Sequence, residues 1–146
     1  MNRINKVRVV VGGVVSGLII FGILGFTHGR ILHNDWMAWA NTIGAAIHGL
    51  VPGPDPSTSM KLWLVESILA GTMGVLIYAG IRPRFGAGPA TALKAGVILW
   101  LTCYLTAFFS GLAMGVEPHR IMHVGVIAEF VAALLGTFVG AAIYKE

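Results

Sequence analysis

The chain has 146 residues, of which 56% are hydrophobic and 11% charged, and its formal net charge at pH 7 is +4. Soluble domains carry about 25% charged residues, so this composition excludes an ordinary water-soluble domain, and the apolar content excludes a disordered chain. The single cysteine, Cys103, excludes an intrachain disulfide and a thiolate metal cluster. The small positive charge is typical of basic residues kept on the cytoplasmic side of a bilayer, and we expect no nucleic-acid partner.

Four apolar stretches predict transmembrane segments at residues 9–26, 62–81, 95–114 and 121–144. About 20 helical residues, at about 1.5 Å each, cross the hydrocarbon of a bilayer. Of all the charged residues in the chain, only Glu66 and Glu129 fall within these stretches. Because backbone groups in lipid must hydrogen-bond within their own segment, each stretch is predicted to be a helix. The predicted fold is therefore all-α, a single-domain bundle of four transmembrane helices in contact with the lipid bilayer.

The long connection between the first two stretches has its own pattern. Apolar residues recur at helical spacing from Trp36 to Leu50. This spacing predicts a short amphipathic helix, at about residues 35–48, that lies on the outer membrane surface. A re-entrant segment, or one that covers other parts of the protein, is the alternative.

The basic residues predict the orientation. Seven lysines and arginines lie on one side of the predicted spans and three on the other. Because the side richer in lysine and arginine stays in the cytoplasm, both termini are expected to be cytoplasmic.

Pairs of small residues four positions apart occur in every predicted span. Such pairs let helix backbones approach closely and gain van der Waals contact. They predict a compact bundle, or a subunit that packs on partner membrane proteins or on a second copy of itself. The pairs are Gly13 with Gly17, Ala70 with Gly74, Gly111 with Gly115, and Gly136 with Gly140.

The two acidic residues within the spans lie on these small-residue faces, so both carboxyls are expected to point to a helix interface. From the predicted helix starts, Glu66 is about 7 Å deep and Glu129 about 14 Å deep. A charged group within a membrane is costly and commonly functional, which favours a role in proton handling, ligand orientation or cation binding. The alternative is structural: a protonated carboxyl that hydrogen-bonds to Thr106, Ser110 or a backbone carbonyl across the bundle.

All five histidines are predicted to lie on the outer side. His119 and His123 are four residues apart, which places both rings on one helix face, and Met122 is a nearby soft donor. This spacing suits a metal ion, and a histidine slightly inside the bilayer is also able to ligate haem. The alternative is that His119 belongs to the helix start and His123 is an interfacial side chain. The cofactor is thus undetermined at this point.

Three aromatic residues, Trp100, Tyr104 and Phe108, recur at helical spacing in the third span. They form a stripe that suits an apolar pocket for a quinone or a pigment tail. Ordinary packing in the core or against lipid is the alternative.

The segment from Tyr78 to Pro89 reads YAGIRPRFGAGP, Thr91 to Gly96 reads TALKAG, and the last span has one central glutamate before a glycine-rich run. In this layout the chain resembles a group of small bacterial four-helix membrane proteins that have no assigned activity. The resemblance implies a bacterial cytoplasmic (inner) membrane protein and implies no catalytic residue.

The sequence carries no phosphate-binding loop, nucleophile elbow or HExxH motif, so a non-catalytic role is favoured. The first hypothesis is a membrane subunit or scaffold that packs on partner proteins. The second is a redox module that binds haem or metal through the outer histidines. The third is a small proton-linked carrier or channel that uses Glu66 and Glu129.

Overall fold

The computed structural model describes residues 4–41, 55–115 and 117–144. Within these ranges the chain forms four long helical segments and one short helix, with no strand. The elements are α1 (Lys6–Phe26), continued by a π-helical turn (Thr27–Ile31); α2 (His33–Trp39); α3 (Pro56–Phe85); α4 (Pro89–Leu99), a second π-helical turn (Trp100–Tyr104) and α5 (Leu105–Met114), which together form the third span; and α6 (His119–Ile143). The prediction of an all-α, four-helix bundle is confirmed.

The four long segments are apolar enough to cross a membrane. Their most apolar stretches have mean hydropathies of 2.5, 1.7, 1.8 and 2.2 in chain order, and each segment has at least 25 residues. Many large apolar side chains on their outer faces are exposed. Since water does not favour such a surface, the protein is a membrane protein whose outer faces contact lipid.

The helices are longer than the apolar stretches that predicted them. The second long helix, α3, begins at Pro56 rather than at residue 62, because Asp55 caps it by accepting hydrogen bonds from the Ser57 and Thr58 amides. Further hydrogen bonds from the Thr58 and Ser57 hydroxyls help to hold the pKa of the Asp55 carboxyl well below its usual range. Capping chemistry, and not hydropathy, therefore sets where this helix starts.

Consecutive long segments run in opposite directions. Gly12 of α1 lies against Gly140 of α6, and Gly13 lies against Thr72 of α3. One end of the bundle, called the histidine end, carries His28 and His119. The opposite end, called the arginine end, carries Arg82 and Arg84, together with the start of α1 and the end of α6.

The short helix α2 covers the first part of the predicted surface helix at residues 35–48. It follows directly on the π-helical turn that ends the first segment, and it lies at the histidine end. The remainder of the predicted helix, together with His48, lies outside the described residues.

Glycines bring α1 into backbone contact with two other helices. Gly71 of α3 lies against the backbone of Gly17 and Gly13, and a Cβ at position 71 would come within 2.6 Å of the Gly13 carbonyl oxygen. Gly140 of α6 packs in the same way against Gly12. Side chains larger than hydrogen would separate these helices, so α1 is the central packing element.

The predicted packing residues have several different neighbours. Gly136 contacts Ser16 and Ile20 of α1, Gly74 contacts Thr137, and Ala70 packs against the cluster formed by Leu99, Tyr104 and Ala133. The Met122 methyl carbon lies 2.8 Å from the position that a Cβ of Gly111 would take, so it packs directly on this glycine.

Gly115 requires a correction, because it was predicted to be a packing residue. It has φ of 64°, a Cβ there would meet no described atom within 4 Å, and its amide donates to the Gly111 carbonyl. Gly115 therefore ends α5 in a left-handed conformation that favours glycine.

Two tyrosines close the arginine end. The Tyr144 hydroxyl accepts from the Asn5 amide and the Tyr78 hydroxyl accepts from the Gly88 amide, at 3.3 Å in each case. The two rings meet edge to face, with centroids 6.1 Å apart. The start of α1, the loop after α3 and the end of α6 are thus joined through buried side chains.

Candidate ligand cavity at the histidine end

A cavity of about 690 Å³ opens in the half of the bundle that lies toward the histidine end. It extends from Met60 and Glu117 near the helix starts to Ser67, between α1, α3, α5 and α6. Its walls are mostly apolar, and several of them are aromatic. The residues with ionisable side chains along it are His28, Glu66, Tyr104, Glu117 and Glu129. Both acids that the sequence placed within the membrane therefore line one cavity.

Glu66 and Glu129 lie at the same depth, which differs from the sequence-based estimate. Each is ten residues beyond the first residue of its helix, about 15 Å at 1.5 Å per residue. The two helices run in parallel, and Gly74 contacts Thr137, each eight residues beyond its glutamate. The shallower depth expected for Glu66 was wrong because α3 begins six residues before the apolar stretch.

Neither carboxyl has a hydrogen-bond or ion-pair partner within the described ranges. Both carboxyls line the same cavity, at the same level along two parallel helices. An uncompensated carboxylate within a membrane is costly, and the cost is removed when the group takes up a proton or a cation. The cavity therefore has two positions at which positive charge is stabilised.

Tyr104 adds a third polar group at the same place. It ends the second π-helical turn, it is 6% exposed, and its hydroxyl has no hydrogen-bond partner among the residues that the structure describes. Tyr104 lines the same cavity as Glu66 and Glu129. π-Helical turns often mark functional sites, and a buried hydroxyl without a protein partner commonly hydrogen-bonds to a ligand or a water molecule.

His28 also lines the cavity, where the first segment ends. Trp36 of α2 donates its indole N–H to His28 Nδ1 at 3.1 Å. Because Nδ1 is the acceptor, the neutral ring carries its proton on Nε2, which lies toward Gly125 of α6. The neutral His28 ring therefore has one N–H donor, at Nε2, on the side of Gly125.

An ion pair holds α2 beside the cavity. Arg120, at the start of α6, contacts the carboxylate of Asp35. Trp36, the next residue along α2, lines the cavity and packs edge to face against Trp39, with ring centroids 5.7 Å apart. The short helix thus covers part of the histidine end of the cavity.

The structure separates Thr106 and Ser110 from the two acids. Thr106 donates to the Thr102 carbonyl at 2.8 Å, Ser110 donates to the Thr106 carbonyl at 3.1 Å, and both residues are exposed on the third span. Both hydroxyls donate to the backbone of their own span, and neither forms a hydrogen bond with Glu66 or Glu129, which was one form of the structural alternative.

The histidine pair at the start of α6 is placed as follows. The His119 and His123 rings have centroids 6.1 Å apart, His123 Nδ1 lies 2.7 Å from the His119 carbonyl oxygen, and the His123 ring packs on Phe108. Met122 is buried and points to Gly111. Within the described ranges, no three histidine, cysteine, aspartate or glutamate side chains are grouped to hold a metal ion. A metal or haem site at these residues stays a prediction.

Only part of the aromatic stripe lines the cavity. Tyr104 and Phe108 do so, whereas Trp100 donates its indole N–H to the Val126 carbonyl at 3.0 Å and packs on Phe130. Sequence reasoning did not single out Tyr104 as a partner of the acids, nor His28 and Trp36 as a pair. The aromatic spacing was a signal for Tyr104. The His28–Trp36 contact depends on the π-helical turn between them, for which the sequence has no clear signal.

Comparisons of the chain with family models, curated proteins and solved structures find no match.

Proposed function

We propose that this protein is a small proton-linked carrier whose substrate binds in the cavity at the histidine end. One observation supports this most strongly: Glu66 and Glu129 reach the same cavity at the same depth without a partner within the described ranges. A charged group that lies within a membrane-spanning helix and has no structural partner is typical of an ion or substrate pathway.

The packing beyond the cavity favours a carrier over an open channel. Toward the arginine end, Gly71 meets Gly17 and Gly140 meets Gly12, so backbones touch below the level of the carboxyls. A substrate in the cavity has access to the histidine end only, and passage requires the helices to separate at these contacts. Alternating access of this kind is what distinguishes a carrier from a pore.

The proposed orientation has both termini in the cytoplasm of a bacterium and the cavity open to the other side of its inner membrane. It rests on the excess of lysine and arginine near the arginine end and on the resemblance to small bacterial four-helix membrane proteins. A C-terminal alkaline phosphatase fusion is expected to be inactive and a C-terminal green fluorescent protein fusion bright. The reverse pattern would reject this orientation.

Proton flux into proteoliposomes tests the proposed function. Vesicles that enclose a pH-sensitive dye receive a potassium diffusion potential that is negative inside. The proposal includes cycling of the carrier with protons alone when no substrate is present, so we expect wild-type vesicles to acidify faster than empty vesicles. We expect Glu66→Gln with Glu129→Gln to reduce the rate to that of empty vesicles, because glutamine keeps the shape and does not exchange protons.

Glu117→Gln is the matched control, because Glu117 lines the cavity near its mouth and lies between the third span and α6. We expect its flux to stay within about twofold of wild type, since a carboxylate near water is not required to carry the proton inward. The other titratable groups on the cavity, His28 and Tyr104, are kept in all variants. Wild-type flux equal to that of empty vesicles, or undiminished flux in the double variant, would reject the carrier.

A subunit role is the second candidate, and the third span supports it. Only 11% of its most apolar stretch is buried, against 33% in each of the other three segments. Thr102, Thr106 and Ser110 lie exposed on this span, beside the exposed Cys103. This flank suits a partner membrane protein or a second copy. Native mass spectrometry of the gently purified protein tests the subunit role. We expect the mass of a complex with a partner or a second copy, and the mass of a lone monomer would argue against this role.

A further inference from the structure

We infer that the substrate is an organic ammonium ion with an apolar body, bound with its charged head between Glu66, Glu129 and Tyr104. The inference rests on the proposed function and adds the chemical class of the ligand. It is carried by the charge, the walls and the size of the cavity, together with the position of one buried hydroxyl.

Charge selects the head group. Away from its mouth the cavity is lined by the carboxyl groups of Glu66 and Glu129, and by no lysine or arginine among the described residues. An anionic ligand would meet these carboxylates without a compensating cation, whereas an ammonium ion would satisfy both of them at once. The ligand therefore carries positive charge at the depth of Glu66 and Glu129.

The walls select the remainder of the ligand. Phe21, Trp36, Trp63 and Phe108 contribute aromatic rings, and most of the other lining side chains are apolar. Aromatic faces attract an organic cation, and apolar walls stabilise its hydrocarbon part. A small, strongly hydrated metal ion gains nothing from such walls.

The size of the cavity agrees with an organic ligand. Its volume of about 690 Å³ lies within the range of about 300–1,000 Å³ that is typical of small-molecule sites. No cluster of three metal-ligating side chains occurs in the part of the chain that the structure describes. The space therefore fits a molecule and not a bare ion.

Tyr104 supplies an observation that is independent of the acids. Its hydroxyl is buried, lines the cavity and has no partner within the described ranges, so its oxygen is free to accept an N–H of the ligand. A primary ammonium group has three such hydrogens, and the two carboxylates and this hydroxyl provide three acceptors. A primary amine is thus the best match.

A matched set of ligands tests this inference in detergent-purified full-length protein. The probes are 4-phenylbutylammonium, 4-phenylbutanol and 4-phenylbutanoate, which share one apolar body and differ in the charge of the head. Trp36 and Trp63 line the cavity, so binding is measured by the change in tryptophan fluorescence. At neutral pH we expect the ammonium to bind at least about tenfold more tightly than the alcohol, and the carboxylate to bind most weakly.

Variants of the cavity residues test which side chains cause the preference for a positively charged ligand. Glu66→Gln with Glu129→Gln is expected to bring the affinity for the ammonium to within about twofold of that for the alcohol, while the alcohol binds as before. Tyr104→Phe is expected to weaken the ammonium by severalfold. Alcohol binding serves as the measure that each variant is folded.

The outcomes separate the two proposals. If the alcohol or the carboxylate binds as tightly as the ammonium, or the ammonium causes no change at millimolar concentration, the ligand class is wrong whatever the proton flux. If wild-type vesicles show no proton flux, the carrier is wrong, and ammonium selectivity that depends on the two glutamates would still establish the binding site.

Discussion

Replacing Gly71 by alanine is expected to lower the free energy of unfolding by several times more than an alanine substitution at a glycine with open space around it. The added Cβ would overlap the backbone of Gly17 and would lie 2.6 Å from the Gly13 carbonyl oxygen. Backbone atoms cannot rotate away as a side chain does, so α1 and α3 must separate along their contact. Overpacking costs typically about 1–3 kcal/mol, and we expect about 3 kcal/mol here because backbone is on both sides. Titration with a denaturing detergent, followed by circular dichroism, measures it.

Gly80→Ala is the matched control on the same helix. A Cβ at Gly80 would meet no described atom within 4 Å, so no helix has to move. Alanine is the better helix former, which makes equal or slightly greater stability the expected result. Equal losses in the two variants would show that α1 and α3 do not pack through Gly71.

Filling the cavity from Gly125 is expected to prevent ligand binding while the bundle stays folded. Gly125 lines the cavity beside His28, and a Cβ there would lie 3.6 Å from His28 Cε1, which is an ordinary contact. The further carbons of leucine would extend past this ring into the space that the ligand requires. We expect Gly125→Leu to weaken 4-phenylbutylammonium binding by at least about tenfold.

Gly125→Ala is the matched control, because it also removes the glycine but fills much less of the cavity than leucine does. Its methyl group fits beside His28, so binding is expected to stay within about threefold of wild type. Tryptophan fluorescence titration measures both variants, and thermal unfolding confirms that they are folded. Full binding by Gly125→Leu would place the ligand elsewhere in the molecule.

Gly71 and Gly125 lie in separate parts of the bundle. Gly71, Gly17 and Gly140 join backbones toward the arginine end, whereas Gly125 borders open space toward the histidine end. Close packing at one end and a cavity at the other are what a carrier requires in the state that is open to one side. A change at Gly71 is therefore expected to influence the separation of the helices, and a change at Gly125 is expected to influence ligand binding.

The sequence was most informative about what lies within the membrane. Four apolar segments, nearly free of charge, are predicted to be helices in lipid. The hydrocarbon contains no water, so the backbone N–H and C=O groups must hydrogen-bond to each other within the segment. The same reasoning selected Glu66 and Glu129, since a charge within an apolar segment stands out without a structure. Fold class and the two acids could thus be obtained from composition and spacing alone.

Other features depended on contacts that spacing does not determine. The sequence assigned Gly115 to packing, and the structure shows that it ends a helix with φ of 64°. It also ranked Glu66 as shallow, because hydropathy does not detect the Asp55 cap that starts α3 at Pro56. Gly71, which makes the closest contact with α1, differs from Gly74 only in the direction it faces.

The amino-acid pattern by itself determined that this chain crosses a bilayer as helices and carries two carboxyls inside it. Hydrogen bonds within each segment and the favourable transfer of apolar side chains from water to lipid are sufficient to predict membrane-spanning helices. Only the tertiary structure decided that the two carboxyls, the Tyr104 hydroxyl and His28 line one cavity. These residues are up to about a hundred positions apart, and their meeting depends on which helix faces interlock, a property of side-chain shape across helices.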